Sequence, residues 1–259
     1  MVLAILVKLP GIQRPWALPV LVALYRNAKD NQAAGRRHKT PGDLRLLLRW
    51  FPARKFVFSG DGGYANHMLT RFARRYEKRL TLVSRFSADA ALYAAPPRPK
   101  KHAKGRPRVK GNKLPSPQDV VQRTKKRQKL TVNWYGSQSR RVEVVTGTGH
   151  WYKSGEGLVE VLWGFVPDLT GTHRDEDFFT TDVTHSATQV IEIFTGRWSI
   201  EVTFTEVRAH LGVETTRGWI ERRVGSNTVL RAEPCLFGLS SVVALWYSAL
   251  RDRENLEST

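Results

Sequence analysis

Two carboxylates stand where this sequence could put them to chemical use. Asp61, in "FVFSGDGGYANH" (residues 56–67), follows a strand-forming run and is bracketed by Gly60, Gly62 and Gly63. Sites in open α/β sheets gather beyond the carboxyl ends of strands. Glycines there let the backbone turn sharply and let a bulky partner come close. Asp61 has a second reading as the cap of a helix beginning near Tyr64, because an aspartate accepts hydrogen bonds from the orphan amides of a helix start. The other carboxylate, Glu201, lies in "FTGRWSIEVTFTEVR" (residues 194–208). Phe194, Arg197, Glu201 and Arg208 are spaced three, four and seven apart, so on one continuous helix they share a face, and Glu206 does not. An ordinary Arg197–Glu201 ion pair, worth a few tenths of a kcal/mol, accounts for two of the four. It leaves Phe194 and Arg208 unexplained.

The elements that would position these groups are read from periodicity. "MVLAILVKL", "RKFVFSG" and "LTLVSRF" read as strands and "YANHMLTRFARRYEKR" as an amphipathic helix, which suggests an α/β unit with a covered sheet. "PPRPKKHAKGRPRVKGNKLPSP" (residues 96–117) has almost nothing to place in a core and reads as an extended basic loop. "LTVNWYG", "RRVEVVTG", "GLVEVLWGFVPD" and "DFFTTDV" follow as an antiparallel meander inserted as a unit. From Ser186 the apolar spacing predicts one amphipathic helix that stops at Gly212, although Gly196 and β-branched residues weaken it. The expected division is residues 1–95 as the first part of a core, 96–183 as the basic loop plus β-rich insertion, and 184–259 as the C-terminal helical part.

Composition narrows the partners. The chain has 259 residues, 42 Lys+Arg against 23 Asp+Glu, a net charge of +19 and 41% hydrophobic residues, enough for a real core and strongly attractive to polyanions. In the loop, Lys100, Lys101, Lys104, Arg106, Arg108 and Lys110 are expected to neutralise nucleic-acid phosphates with little sequence readout; a solvated linker is the alternative. Trp134, Trp151 and Trp163 could stack on an unpaired base or pack in the core. The histidines, His67, His150 and His173 among them, show no metal-ligand spacing. The single cysteine, Cys235, is expected to be a buried reduced thiol in a reducing compartment. Lys8, Pro10, Arg14 and Pro15 interrupt the apolar N-terminus, and residues 234–250 read as a buried helix begun by Pro234, so no membrane span is expected.

The 194–208 pattern resembles the aromatic-x2-Arg-x3-Glu-x6-basic signature of DDE-type transposases of bacterial insertion sequences, in which Tyr, Arg, Glu and Lys fill those slots. Phe194 stands in the Tyr slot and Arg208 in the Lys slot, while Arg197 and Glu201 are retained. "GDGGYA" resembles that family's second-Asp motif, and "WALPVLVALYR", "LVSRFSADAALY", "GRPRVKG" and "HLGVETTRGW" extend the resemblance over nearly the whole chain. It implies an RNase H-like mixed α/β sheet flanked by helices and interrupted by a β-rich insertion. It also implies Asp61 and Glu201 as catalytic ligands of Mg²⁺, with Mn²⁺ as a substitute, and Phe194, Arg197 and Arg208 as DNA contacts. Hard carboxylate oxygens suit such ions, which neutralise the transition state of phosphodiester cleavage.

The family carries its first Asp on an upstream strand, whereas no Asp precedes residue 30 here and Asp30 and Asp43 lie in polar sequence. The expectation is an N-terminally truncated chain whose first core strands and first metal ligand are missing. The function expected is transposase-type DNA strand cleavage and transfer by two-metal phosphoryl transfer, impaired by the missing ligand. The alternative is a non-catalytic DNA-binding remnant. The partners expected are double-stranded DNA of transposon ends and target and a second copy of the chain, in the bacterial cytoplasm at the nucleoid.

Overall fold

The computed structural model describes residues 2–9, 14–22, 42–87, 89–97, 107–168, 174–212 and 227–257. In chain order these hold strands β1 (Val2–Val7) and β2 (Trp16–Val22), helix α1 (Gly42–Trp50), strand β3 (Phe56–Gly60), helix α2 (His67–Arg75), and strands β4 (Leu80–Arg85) and β5 (Leu92–Tyr93). Helix α3 (Pro117–Arg123) precedes strands β6 (Gln128–Trp134), β7 (Gln138–Lys153), β8 (Gly157–Val166) and β9 (Glu176–Thr180). Helices α4 (Ala187–Gly196), α5 (Ser199–Leu211) and α6 (Asn227–Glu257) follow. They fall into two compact units, one from residues 44–134 and 138–195, the other from the described parts of residues 1–43, 135–137 and 196–259.

The larger unit is built on a curled mixed sheet of order β3-β4-β9-β8-β7-β5, with β6 paired to β7. Among the described residues only β3 and β4 pair in parallel, and α2 supplies the crossover that a parallel pair requires. Asn66 starts α2 by accepting the Leu69 N–H at 2.9 Å, and Arg74 and Arg75 sit in its last turn, where cations complement the helix dipole. Side chains alternate across β4. Val83 enters a core with Val144, Phe178, Val190, Ile191 and Phe194, which seats α4 on that face. Leu80 and Leu82 are equally buried and turn to the opposite face, where α2 packs on β4. Both faces of the sheet are therefore covered, as its apolar strands require.

The meander read as an inserted unit continues this sheet. Val83, Ser84 and Arg85 of β4 pair with Thr180, Phe179 and Phe178 of β9, so the backbone ladder runs on from the α/β core into the antiparallel strands. Gly147 marks a close approach inside it, since a Cβ there would lie 2.6 Å from the Trp163 ring.

In the smaller unit β1 and β2 form an antiparallel pair against which α5 and α6 pack. Val207 and Phe237 are its buried centre, with Val2, Val22, Phe204, Leu211 and Leu236 around them. Thr203 donates its hydroxyl proton to the Ala17 carbonyl at 2.9 Å and Ser241 donates to that of Pro19 at 3.0 Å, fixing both helices to β2.

Three expectations from sequence change. The helix predicted from residue 186 to 211 is two helices, broken between Gly196 and Ser199, where the Ile200 and Glu201 amides bond only three residues back, to Arg197 and Trp198. Gly196 is the weakest helix former of the run and the break falls there. The helix expected to begin at Pro234 starts a turn or more earlier, at Asn227, with Pro234 inside it. It is also not buried: Leu239, Val242, Val243, Leu245 and Trp246 are exposed, and Cys235 is exposed with them. Among the described residues no helix is long and apolar enough to cross a membrane.

Candidate active site

Asp61 follows β3 directly, at the carboxyl end of the parallel pair, and is exposed. Its neighbours hold it in place. The buried Ser84 hydroxyl, on the adjoining strand end, lies 3.0 Å from the Gly60 carbonyl and 2.9 Å from that of Asp61, and its one proton serves the two. The Asp61 carbonyl also accepts the Tyr64 N–H at 2.9 Å. Asp61 Oδ1 accepts the Gly63 N–H at 2.9 Å and so caps the short 3-10 turn Gly62–Tyr64, while α2 itself has Asn66 as its cap. Both readings of Asp61 from sequence thus describe real features: it ends a core strand, and it caps a turn. Gly60 is required by the turn, because a Cβ on it would lie 2.6 Å from Tyr64 Cβ.

Three charged residues that sequence reasoning passed over share this end of the sheet. Arg85 ends β4, and its Cδ is 3.9 Å from where a Cβ on Gly62 would lie. Its guanidinium pairs with Glu176 on β9 at 2.8 Å. Beside it Asp177 has its carboxyl raised to about 6, first by burial, then by the like charges of Asp175 and Glu176, with Arg85 opposing. The signal that could have found Arg85 and Glu176 is their position: opposite charges at the adjacent ends of two antiparallel strands.

Phe194 belongs to this unit as packing. Its ring is 0% exposed, tilts against Phe178 at 4.8 Å and lies 5.9 Å from the Arg85 guanidinium carbon. A ring so enclosed has no surface to offer a sugar-phosphate chain, so the expected DNA contact through Phe194 is not met. The break after Gly196 also puts Phe194 on α4 and Glu201 on α5, so the four-residue face read from spacing is not one helical face.

In the other unit Arg197 stands just before α5 and Glu201 in its first turn, where a carboxylate is favoured by the helix dipole. Arg197 Nη1 lies 3.8 Å from Glu201 Oε1, and the Glu201 side chain is 52% exposed. Arg208 is exposed in the last turn of α5, seven residues from Glu201 and on the same side.

In the basic loop, Lys100, Lys101, Lys104 and Arg106 lie outside the described residues; Arg108 is exposed. Lys110 is half-buried, its ammonium 4.0 Å from the Tyr93 ring centre and 4.3 Å from that of Tyr152, so it anchors the end of the loop to the sheet by cation–π contacts. The tryptophans proposed for base stacking pack: Trp163 is buried, Trp151 lies edge-on to Phe86, Phe179 and His67, and Trp134 rests on the α4 core beneath Arg140. His67 is structural, with its ring nitrogens 3.0 Å from Glu156 Oε2 and 3.2 Å from the Trp151 carbonyl.

Asp61 and Glu201 fit a hard divalent cation by donor chemistry, each being an exposed carboxylate. Among the described residues no three His, Cys, Asp or Glu side chains form a group able to hold a metal ion.

No curated protein matches the sequence. A family model, described as the transposase DDE domain, matches residues 22–229, a span that contains Asp61, the basic loop, Arg197, Glu201 and Arg208. A match over that much of the chain, on a mixed sheet flanked by helices with a carboxylate at its parallel strand end, places this protein in the DDE transposase family.

Proposed function

We propose that the chain acts in DNA transposition through strand cleavage and transfer by phosphoryl transfer, with Asp61 and Glu201 as ligands of Mg²⁺ or Mn²⁺. The observation that carries this reading is the exposed Asp61, fixed at the carboxyl end of β3 in a chain of a transposase family. When bound, divalent ions would neutralise the charge that develops as a phosphodiester is attacked in line. The chain's own residues do the rest. Ser84 and Gly63 hold Asp61 at a set position; Arg197 orients the Glu201 carboxylate; and Arg208, Arg108 and the basic loop residues Lys100, Lys101, Lys104 and Arg106 meet phosphates of double-stranded DNA. Relatives' action at paired ends makes a homodimer the expected working form, in the bacterial cytoplasm.

Two assigned carboxylates are fewer than the family's three. Nicking of end-bearing DNA with Mg²⁺ or Mn²⁺ is therefore expected to be absent or very weak, and robust nicking abolished by Glu201→Gln would show that the ligand set is complete after all. Mn²⁺ binding, followed by loss of the free-ion EPR signal, tests the assignment directly. Asp61→Asn and Glu201→Gln should each weaken it, and unchanged binding in both would overturn the assignment.

The alternative, a DNA-binding remnant without cleavage, is favoured by one observation: Asp61 Oδ1 already serves the Gly63 amide, a structural task that needs no metal. On that reading Asp61→Ala, which removes the acceptor, lowers stability, Asp61→Asn, which keeps it, does not, and Mn²⁺ binding is unchanged in both.

A further inference from the structure

The larger unit carries a second cationic surface, separate from the basic loop and not used by the proposed chemistry. Helix α2 buries His67, Leu69, Thr70, Phe72 and Ala73 and leaves Arg71, Arg74 and Arg75 exposed, with Lys78 in the turn that follows. Arg71 and Arg75, four apart on α2, share one face, and Lys78 continues the cationic run in the turn beyond the helix end. Arg74 is engaged by Glu77 at 2.7 Å. At the end of this run Arg79 donates to the carbonyls of Leu48 (2.6 Å) and Phe51 (3.0 Å), closing the C-terminus of α1, and its own carbonyl accepts the Phe56 N–H at 2.8 Å. Those bonds hold the backbone of residues 48–56, along which Arg49, Arg54 and Lys55 are exposed, against the turn that carries Lys78 and Arg79. Arg45, stacked 5.5 Å from the Phe72 ring centre, ties α1 to α2 a second time.

The direction of the run matters. β3 runs from Phe56 to Gly60, toward Asp61, and α2 returns from His67 to Arg75, so Arg71 lies nearer the Asp61 end than Arg75 does, and Lys55 with Lys78 at the far end. Five strand residues at about 3.3 Å each separate the two ends. Trp50, Phe51, Val57 and Tyr76 are exposed among these charges, but residues 44–80 carry only two carboxylates, Asp61 and Glu77, and Glu77 is paired with Arg74, so the surface is cationic throughout and suits a uniformly anionic partner. A run of cations on a rigid two-helix base, leading away from a strand-end carboxylate, matches a sugar-phosphate backbone.

We propose that Arg49, Arg54, Lys55, Arg71, Arg75 and Lys78 form a track that grips the backbone of duplex DNA extending away from the Asp61 end, without base readout. The proposal rests on the DNA-acting reading and is independent of the metal assignment. Its test is fluorescence anisotropy of the full chain with a 30-bp duplex in EDTA, where metal-dependent chemistry has no part, across a salt series. Arg71→Gln/Arg75→Gln/Lys78→Gln, which keeps good helix formers at exposed positions, should reduce the slope of log K against log salt by about 0.9 for each phosphate no longer neutralised, up to roughly 3. Affinity should fall ten-fold or more at low salt, equally for unrelated sequences. Arg71→Lys/Arg75→Lys should retain the wild-type slope, which separates removal of charge from a disturbed helix. An unchanged slope in the Gln variant, an equal decrease in the Lys variant, or tighter binding of a matched RNA hairpin through the same residues would overturn the proposal. The metal reading fails separately, in the Mn²⁺ experiment.

Discussion

Replacing Gly60 by alanine tests whether the strand end is as tightly built as its contacts indicate. The added Cβ would stand 2.6 Å from Tyr64 Cβ, 3.0 Å from Tyr64 Cγ and 3.2 Å from Phe58 Cε1. Carbon atoms in ordinary contact lie about 3.5–4.0 Å apart, so the first approach is short by roughly 1 Å. Tyr64 cannot relieve it by rotating, because its Cβ is fixed to the backbone. That backbone is held by the Tyr64 N–H to the Asp61 carbonyl at 2.9 Å and by Gly63 to the Asp61 carboxylate at 2.9 Å. The turn must move as one body and carry Asp61 with it. Overpacking of this kind costs about 1–3 kcal/mol. With a urea slope of about 2–3 kcal/mol/M, the unfolding midpoint followed by tryptophan fluorescence should fall by roughly 0.3–1.5 M. Tyr64→Gly removes the opposing Cβ, so Gly60→Ala should be nearly harmless in that background, and the double-mutant cycle subtracts the effect of removing the Phe58–Tyr64 ring pair, 5.4 Å between centres. A shift below about 0.2 M for Gly60→Ala, or a destabilisation that persists undiminished in the Tyr64→Gly background, would refute the reasoning.

Asp177 makes the pH dependence unusual. Its carboxyl is raised from the ordinary range to about 6, with burial the leading cause, so the folded chain holds this proton where the unfolded chain has released it. Its contribution to stability is present below the ordinary carboxylate range and is lost as pH rises through about 6. Asp177→Asn should raise the urea midpoint at pH 7 and flatten its change between pH 4 and 6; a lowered midpoint at pH 7 would count against it. Phe194→Ala should destabilise by about 3–5 kcal/mol, as removal of a fully buried ring does, whereas Glu201→Gln, at an exposed position, should leave the midpoint nearly unchanged. Equal midpoints for wild type and Phe194→Ala in urea unfolding would mean that the ring is not in the core.

The strands and the crossover helix of the larger unit were legible because their signals are local. β-branched runs, the alternation of Leu80, Leu82 and Val83, and the polar outer face of α2 set periodicity without reference to any partner. Asp61 at the end of β3 was legible for the same reason: a strand followed by glycines must turn, and whatever sits at the turn is presented. The mixed α/β class and the family also follow from ordered local motifs. The exposed Glu201 and Arg208 are where the helical spacing within α5 puts them.

Tertiary structure decided the rest. Spacing alone could not show that Gly196 breaks the helix, since a glycine is tolerated in a helix when packing holds both flanks, and here α4 is anchored by the sheet core and α5 by β2. Nor could it show that Phe194 faces inward, because an aromatic residue on an amphipathic face goes wherever an opposing surface awaits it, and that surface comes from Phe178 on β9. Lys110 reads as one more loop cation until Tyr93 and Tyr152 are brought together from β5 and β7. Arg85 and Glu176 are 91 residues apart and meet only because β4 and β9 pair. The sequence determined which residues could be strand ends, helix faces and charges; the pairing of distant strands determined which of those charges meet and which rings are hidden, because contacts between remote segments are set by the packing of whole elements and not by any pattern within one of them.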